Sequence, residues 1–317
     1  MNLPVFDLHC DTALALLDDT CRRRARLMQN SAHIDLERGG KLAGYAQMFA
    51  LFTTPGMDET GSFSAERIFA AMLENLLKEL EENCQFILRA KTPEQAEQIV
   101  SEGKIAAILS IEGTAGIGFD YGRLEELAQF GFAMSTLTWN EQNPLAGSHK
   151  TGGGLTDRGR EYVRRAQRYG IAIDVSHVSD EAFWDIMDIT ERPVSASHSD
   201  SRAVCGVSRN LTDEQFLAIC RTGGVAGLNM CAPFLGAEQV TLDTVCDHVI
   251  HWLELGGEKH IALGSDLDGC DVLPDGFDGV ESYPALAEAL LKRNVPRQIV
   301  EDIFWNNAMR MWKKCCM

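Results

Sequence analysis

Short apolar runs recur along the chain, and amphipathic stretches separate most of them. Eight runs, at residues 5–9, 45–52, 105–111, 132–138, 171–175, 194–197, 225–229 and 260–264, have the length and turn-bounded character of strands buried on both faces. Between them the helix signals are specific. Residues 64–82 carry Ile68, Met72, Leu76 and Leu80 at helical spacing, so one stripe faces a core. Thr92-Pro93 with Gln95 reads as an N-cap, a proline at the first helical position and a capping-box partner, and Gly103 closes that helix. Thr212 with Gln215 repeats the box, and Gly223-Gly224 ends its helix. Strand-helix alternation predicts a parallel sheet. Eight units predict a closed (β/α)8 barrel, with a doubly wound open sheet as the runner-up. No Pro/Gly/Ser-rich linker, repeat or low-complexity tract divides residues 1–317, so a single barrel domain is expected. Gly152-Gly153-Gly154 lacks the early strand and acidic partner of a nucleotide-binding fingerprint and reads as a turn and helix entry.

Composition narrows the function classes. Of 317 residues, 45% are hydrophobic and 24% charged, enough apolar surface for a sizeable core. The net charge of -17, with Lys and Arg concentrated only at Arg22-Arg23-Arg24-Ala25-Arg26, argues against nucleic acid as a partner. The N-terminal residues lack the basic and apolar regions of a signal peptide, and no run of about 18 apolar residues could span a bilayer. A cytoplasmic protein without a membrane partner is expected. The ten cysteines form no CxxC pair and are expected to be buried, reduced thiols, with Cys315-Cys316 in a frayed tail.

In a parallel barrel the C-terminal ends of the strands converge on one basin. Five of the eight predicted ends carry metal-ligand or acid/base residues: His9 and Asp11, Glu112, His177, His198 and Asp266. Strand residues at i and i+2 share a face, so His9 and Asp11 can touch one cation. This set exceeds what one tetrahedral ion needs and points to two metals, with the two oxygens of Glu112 suited to bridge them. Singly, each residue has an ordinary structural explanation: a hydrogen-bonded core histidine, or a helix-capping Asp11 before Thr12. One shared basin replaces several separate explanations. His33, His248, His251 and His260 have no such placement and read as surface or packing residues.

The segments Phe6-Asp7-Leu8-His9-Cys10-Asp11, Ser110-Ile111-Glu112-Gly113, Asp174-Val175-Ser176-His177, residues 197–205 from Ser197-His198-Ser199 to Cys205, Arg209-Asn210 and Gly264-Ser265-Asp266-Leu267-Asp268-Gly269 resemble, in order, the membrane (renal) dipeptidase family. The resemblance implies a (β/α)8 barrel and a two-zinc dipeptidase that tolerates a D-residue at the C-terminal position of its small dipeptide substrate. It also implies that a homodimer is an expected assembly. By the same resemblance His9 and Asp11 hold one Zn²⁺, His177 and His198 the other, and Glu112 bridges them. The resemblance further implies a metal-bridging hydroxide as the nucleophile, Asp266 as the proton shuttle and Arg209 as the anchor of the substrate carboxylate. Two positions depart from the family pattern. Trp139 stands where a substrate-contacting histidine is expected, leaving Asn140, Asn143 or His149 to supply that contact or the two metals to manage alone, and Cys231 replaces a tyrosine. Trp139 and Asn140 are therefore candidate substrate-binding residues. The competing readings are a related metal-dependent amidohydrolase acting on an N-acyl amino acid, lactam or cyclic amide, and a non-catalytic binding barrel.

Overall fold

The computed structural model describes residues 3–18, 21–57 and 63–316. Among the described residues nine strands form one parallel sheet: β1 (Pro4–Cys10), β2 (Gly44–Phe52), β3 (Ile87–Arg89), β4 (Ile105–Glu112), β5 (Phe132–Thr136), β6 (Ala172–Asp174), β7 (Val194–Ala196), β8 (Val225–Leu228) and β9 (Ile261–Leu263). Strand β2 pairs with both β1 and β4, β1 pairs with β9, and β4 to β9 pair in succession. The result is a closed eight-stranded (β/α)8 barrel, as expected. The ninth strand, β3, is an addition. It pairs with Ile105–Ala107 of β4, below the Leu109–Glu112 stretch that pairs with β5. Several strands are shorter than their apolar runs. Thr138, Val175 and Asn229 lie past the last paired residues, where the chain leaves the ladder for the rim.

Side-chain alternation splits the core in two. In β4, Ala106 and Ile108 have the same parity as Ser110 and Glu112, so they face the barrel interior beneath Glu112. With Phe6, Leu8, Ala46 and Met48 they form a cluster that includes Ala308, Met311 and Trp312. The opposite faces, Val5, Tyr45, Phe49, Ile105 and Leu109, pack outward in the larger cluster with the helices. One helical stretch, Arg297–Glu301 through a π-helical turn at Asp302–Asn306 to Asn307–Cys316, closes the base. Phe6 contacts Trp305 and Trp312 with ring centroids 5.9 Å apart in each case.

The helix signals translate into specific bonds. Ser64 caps Ala65–Glu82, where Met72, Leu76 and Leu80 are buried; Ile68 is only half-buried because Phe69 takes the inward position of that turn. The Thr212–Gln215 capping box is complete, with bonds of 3.2 and 2.8 Å. At Thr92 the box is offset: Gln95 Oε1 accepts from Lys91 N at 2.8 Å, one residue before the cap. Gly152 and Gly153 adopt positive φ in a turn, and the following helix is capped by Thr156. All ten cysteines are free, but they are not uniformly buried: Cys84 and Cys316 are exposed. Cys315 is no frayed tail; it is packed in the final helix with its thiol donating to Pro193 O at 3.6 Å. Among the described residues no helix is long and apolar enough to cross a membrane.

Candidate metal centre

Simple alternation along β1 would send His9 outward. Phe6 and Leu8 face the interior, whereas Asp7 faces outward and accepts from Tyr283 of the helix Tyr283–Lys292. The pairing of β1 with β2 shifts register between Asp7 and Cys10, and this bulge turns His9 inward. The shared face expected for His9 and Asp11 is thus reached through an irregularity rather than a regular strand.

The five predicted ligands and Asp266 meet at the rim. His9 Nε2 lies 3.2 Å from Glu112 Oε2, 3.6 Å from Asp11 Oδ2 and 3.8 Å from Asp266 Oδ1. Glu112 Oε1 lies 3.0 Å from His177 Nε2 and 3.6 Å from His198 Nε2, and those two nitrogens are 3.0 Å apart. The rings of His9 and His198 stack at 3.8 Å. Ligand-type atoms of His9, Glu112 and His198 lie within 4.8 Å of one another, as do those of His9, Asp11 and Asp266.

Supporting residues set which ring nitrogens face the basin. Ser197 Oγ donates to Asp174 Oδ2 at 2.5 Å, so it accepts from His198 Nδ1 at 2.6 Å, and His198 Nε2 keeps its lone pair for the basin. Asp174 is fully buried; it also accepts from Thr136 Oγ1 and from the amides of Ser176 and Ser197. His177 Nδ1 donates to Asn140 Oδ1 at 3.3 Å, which directs its Nε2 inward as well. The same Asn140 oxygen accepts from His149 Nε2 at 2.8 Å, and His149 Nδ1 accepts from Ser208 Oγ at 3.0 Å. Two imidazole lone pairs therefore converge on one carboxylate oxygen, an arrangement suited to a cation.

Electrostatics agree with that reading. Burial pushes the Glu112 carboxyl up to about 7, although the neighbouring His9 pulls it back. Burial also disfavours charge on His9, but Glu112 and Asp11 outweigh it and hold the imidazole well above its ordinary range. His177 and His198 are held well below that range by burial, with Arg209 adding to the effect on His177 and His9 on His198. Asp266 is raised to about 6, chiefly by burial. Three buried ligand atoms, His9 Nε2, Asp11 Oδ1 and Glu112 Oε2, have no hydrogen-bond partner. Buried polar atoms without partners are rare in folded proteins, and three in one basin fit a cation-binding set.

Backbone geometry is specialised here. Of six non-glycine residues with positive φ among the described residues, His177 (68°), Asp266 (59°) and Asp268 (68°) lie at this rim, each costing about 1–3 kcal/mol. Gly269 packs against the same groups; a Cβ there would stand 2.2 Å from Asp11 Oδ2 and 2.5 Å from Asp266 Oδ1.

Arg209 is buried beside the basin, with Nη1 donating to Ser199 Oγ at 2.6 Å and Nη2 to His198 O at 2.8 Å, while its buried Nε has no partner. Trp139 is half-buried, edge-on to Phe52 at 5.1 Å and 6.4 Å from the His177 ring. Asn143 is committed elsewhere, donating to Leu137 O and accepting from the amides of Leu145 and Ala146. Sequence reasoning missed Asn229, which donates to Asp266 Oδ2 at 3.0 Å, and Asp7, which accepts from the amides of His9 and Ser265 at 2.9 and 3.0 Å. A polar residue inside an otherwise apolar strand, as at Asp7 and Asp174, was the available signal. His33, read as surface or packing, instead bonds Asp268 in the loop that carries Asp266. His248 is a satisfied core residue, accepting from Ser201 N and donating to Leu235 O.

Comparison with known proteins places these features in context. A protein named as an uncharacterised dipeptidase from Schizosaccharomyces pombe is 33% identical over 224 residues, covering 68% of this chain and 54% of that protein. The chain thus matches about half the length of that relative. A metallopeptidase from Rhodobacter sphaeroides, crystallised with a phosphinate mimic of the dipeptide L-Ala-D-Ala, superposes with a TM-score of 0.88 at 26% identity, covering 99% of this chain and all of that one. A second structure, of a metallopeptidase named dipeptidase AC, gives 0.87 at 26% identity, with 99% of each chain covered. The sequence profile of membrane dipeptidases, peptidase family M19, matches residues 1–316. With the barrel and the rim cluster, that match means that the chain belongs to the membrane dipeptidase family.

Proposed function

We propose that the chain is a dipeptidase working with two zinc ions, His9 and Asp11 holding one, His177 and His198 the other, and Glu112 both. The observation that carries this reading is the convergence of the His177 and His198 lone pairs and three partnerless ligand atoms on one buried basin. When bound, the ions supply Lewis-acid polarisation of the amide carbonyl and a water nucleophilic at neutral pH. Asp266 Oδ1 takes the proton of the attacking water and returns it to the leaving amine, while Asn229 fixes the other oxygen. Arg209 offers its unpartnered Nε to the substrate carboxylate, completing a charge-assisted pair. Asn140 positions His177, and Trp139 with Phe52 walls the substrate side of the rim. The Rhodobacter sphaeroides structure with its L-Ala-D-Ala mimic supports extending the substrate range to a C-terminal D-residue. Protein expressed with zinc should carry two equivalents and hydrolyse both L-Ala-L-Ala and L-Ala-D-Ala. Turnover of N-acyl amino acids with no cleavage of free-amine dipeptides would replace this reading with the amidohydrolase one, which the replacements at Trp139 and Cys231 keep open.

Protons compete for the same atoms. In the metal-free site Glu112 keeps a proton up to about pH 7, and His9 stays protonated above its ordinary range. Cation binding must displace these protons. Zinc affinity is therefore expected to rise with pH through 7 and weaken below it. Calorimetry near pH 6.5 in buffers of different ionisation enthalpy should report proton release, and a buffer-independent heat would contradict it.

A further inference from the structure

A buried brace joins the turn after β1 to the loop after β9. Asp268 Oδ2 accepts from Thr12 Oγ1 at 2.6 Å, and Oδ1 accepts from His33 N at 2.6 Å. The Asp268 amide donates to His33 Nδ1 at 3.0 Å. The Asp268 side chain is 1% exposed, and both its oxygens are engaged. Alongside, Asp11 N donates to Leu267 O at 2.9 Å. Thr12 follows Asp11, and Asp268 lies two residues after Asp266, in a loop where both aspartates hold positive φ. Such a loop keeps its shape only if outside contacts hold it.

We propose that Asp268 is a positioning residue for the reaction: through Thr12 it fixes the Asp266 carboxylate against Asp11, so that the proton shuttle and the β1 cation ligands share one geometry. The inference rests on the dipeptidase reading. Thr12→Val is nearly isosteric and removes only the hydroxyl donor, leaving Asp268 Oδ2 buried and unpaired. It should lower kcat by about 10–100-fold and weaken zinc, measured by chelator competition, by a similar factor, as outer-shell changes at metal sites do. KM should stay within about twofold, because the brace touches no substrate group. Thr12→Ser restores the donor and should recover most of both losses. Asp268→Asn should be intermediate: its oxygen still accepts from His33 N, and its amide can donate to Thr12, whose hydroxyl then turns to Cys10 Sγ, 3.3 Å away. Thr12→Val and Thr12→Ser indistinguishable in kcat and zinc affinity would overturn the brace. A wild-type chain that cleaves no dipeptide would instead overturn the dipeptidase reading, and the zinc-affinity comparison would still decide whether the brace positions Asp11.

Discussion

Asp266→Asn is expected to keep both zinc ions and lose about 10²–10⁴-fold in kcat, the range for removing a positioned acid/base group. Asparagine preserves the shape and one oxygen, so the basin stays assembled. What disappears is the proton site. In the metal-free site burial raises this carboxyl to about 6 while His9 restrains the rise, and a carboxylate within hydrogen-bond reach of the reacting water can take up and return a proton. An amide cannot. The acid limb of the pH–rate profile that this group produces should vanish in the variant, while zinc stoichiometry stays at two. Unimpaired turnover in Asp266→Asn would mean that another group carries the proton.

Glu112→Gln acts on the cations themselves. One carboxylate stands among three imidazoles, with Oε2 toward His9 and Oε1 toward His177 and His198. Glutamine puts an N–H donor where two lone pairs converge, so it occupies a ligand nitrogen instead of sharing a cation, and it removes the carboxylate charge proposed to bridge the two cations. Zinc content is expected to fall from two ions per chain to one or none, and hydrolysis to background. Misfolding is separable: the metal-free variant should still unfold in one cooperative transition, even where loss of the His9 partner lowers its midpoint. A Glu112→Gln protein with full zinc content would argue against the bridging role.

Much of this was legible in the sequence, for a physical reason. Strands buried on both faces of a parallel sheet read as nearly continuous apolar runs, so β1, β2 and β4 to β9 stand out. The three residues of β3 do not, being too short to show a period. The chemistry at the strand ends was visible because His and carboxylates are conspicuous beside apolar runs. Its geometry was not. The inward turn of His9 depends on a register shift against β2, which is a property of the pair and not of either strand. The tautomers of His177 and His198 depend on Asn140 and Ser197, residues that look like ordinary loop and rim polars until folding brings them together. His33 lies 235 residues from Asp268, and no local pattern could link them.

The ring of strands has a thin place. β1 meets β9 through one paired register position, Asp7 with Leu263, and the bonds that reinforce this seam come from Ser265, Leu267 and Asp268, each reaching back to the start of the chain. Thr12 and Asp268 are 256 residues apart. On a ribosome adding about 5–20 residues per second, the first strand waits on the order of tens of seconds for its last neighbour. During that time Phe6 and Leu8 sit on an open sheet edge, the kind of surface that invites mispairing with other chains. The rim that gathers His9, Thr12, Asp266 and Asp268 therefore cannot assemble before residue 268 has been made, so the seam between β1 and β9 closes late.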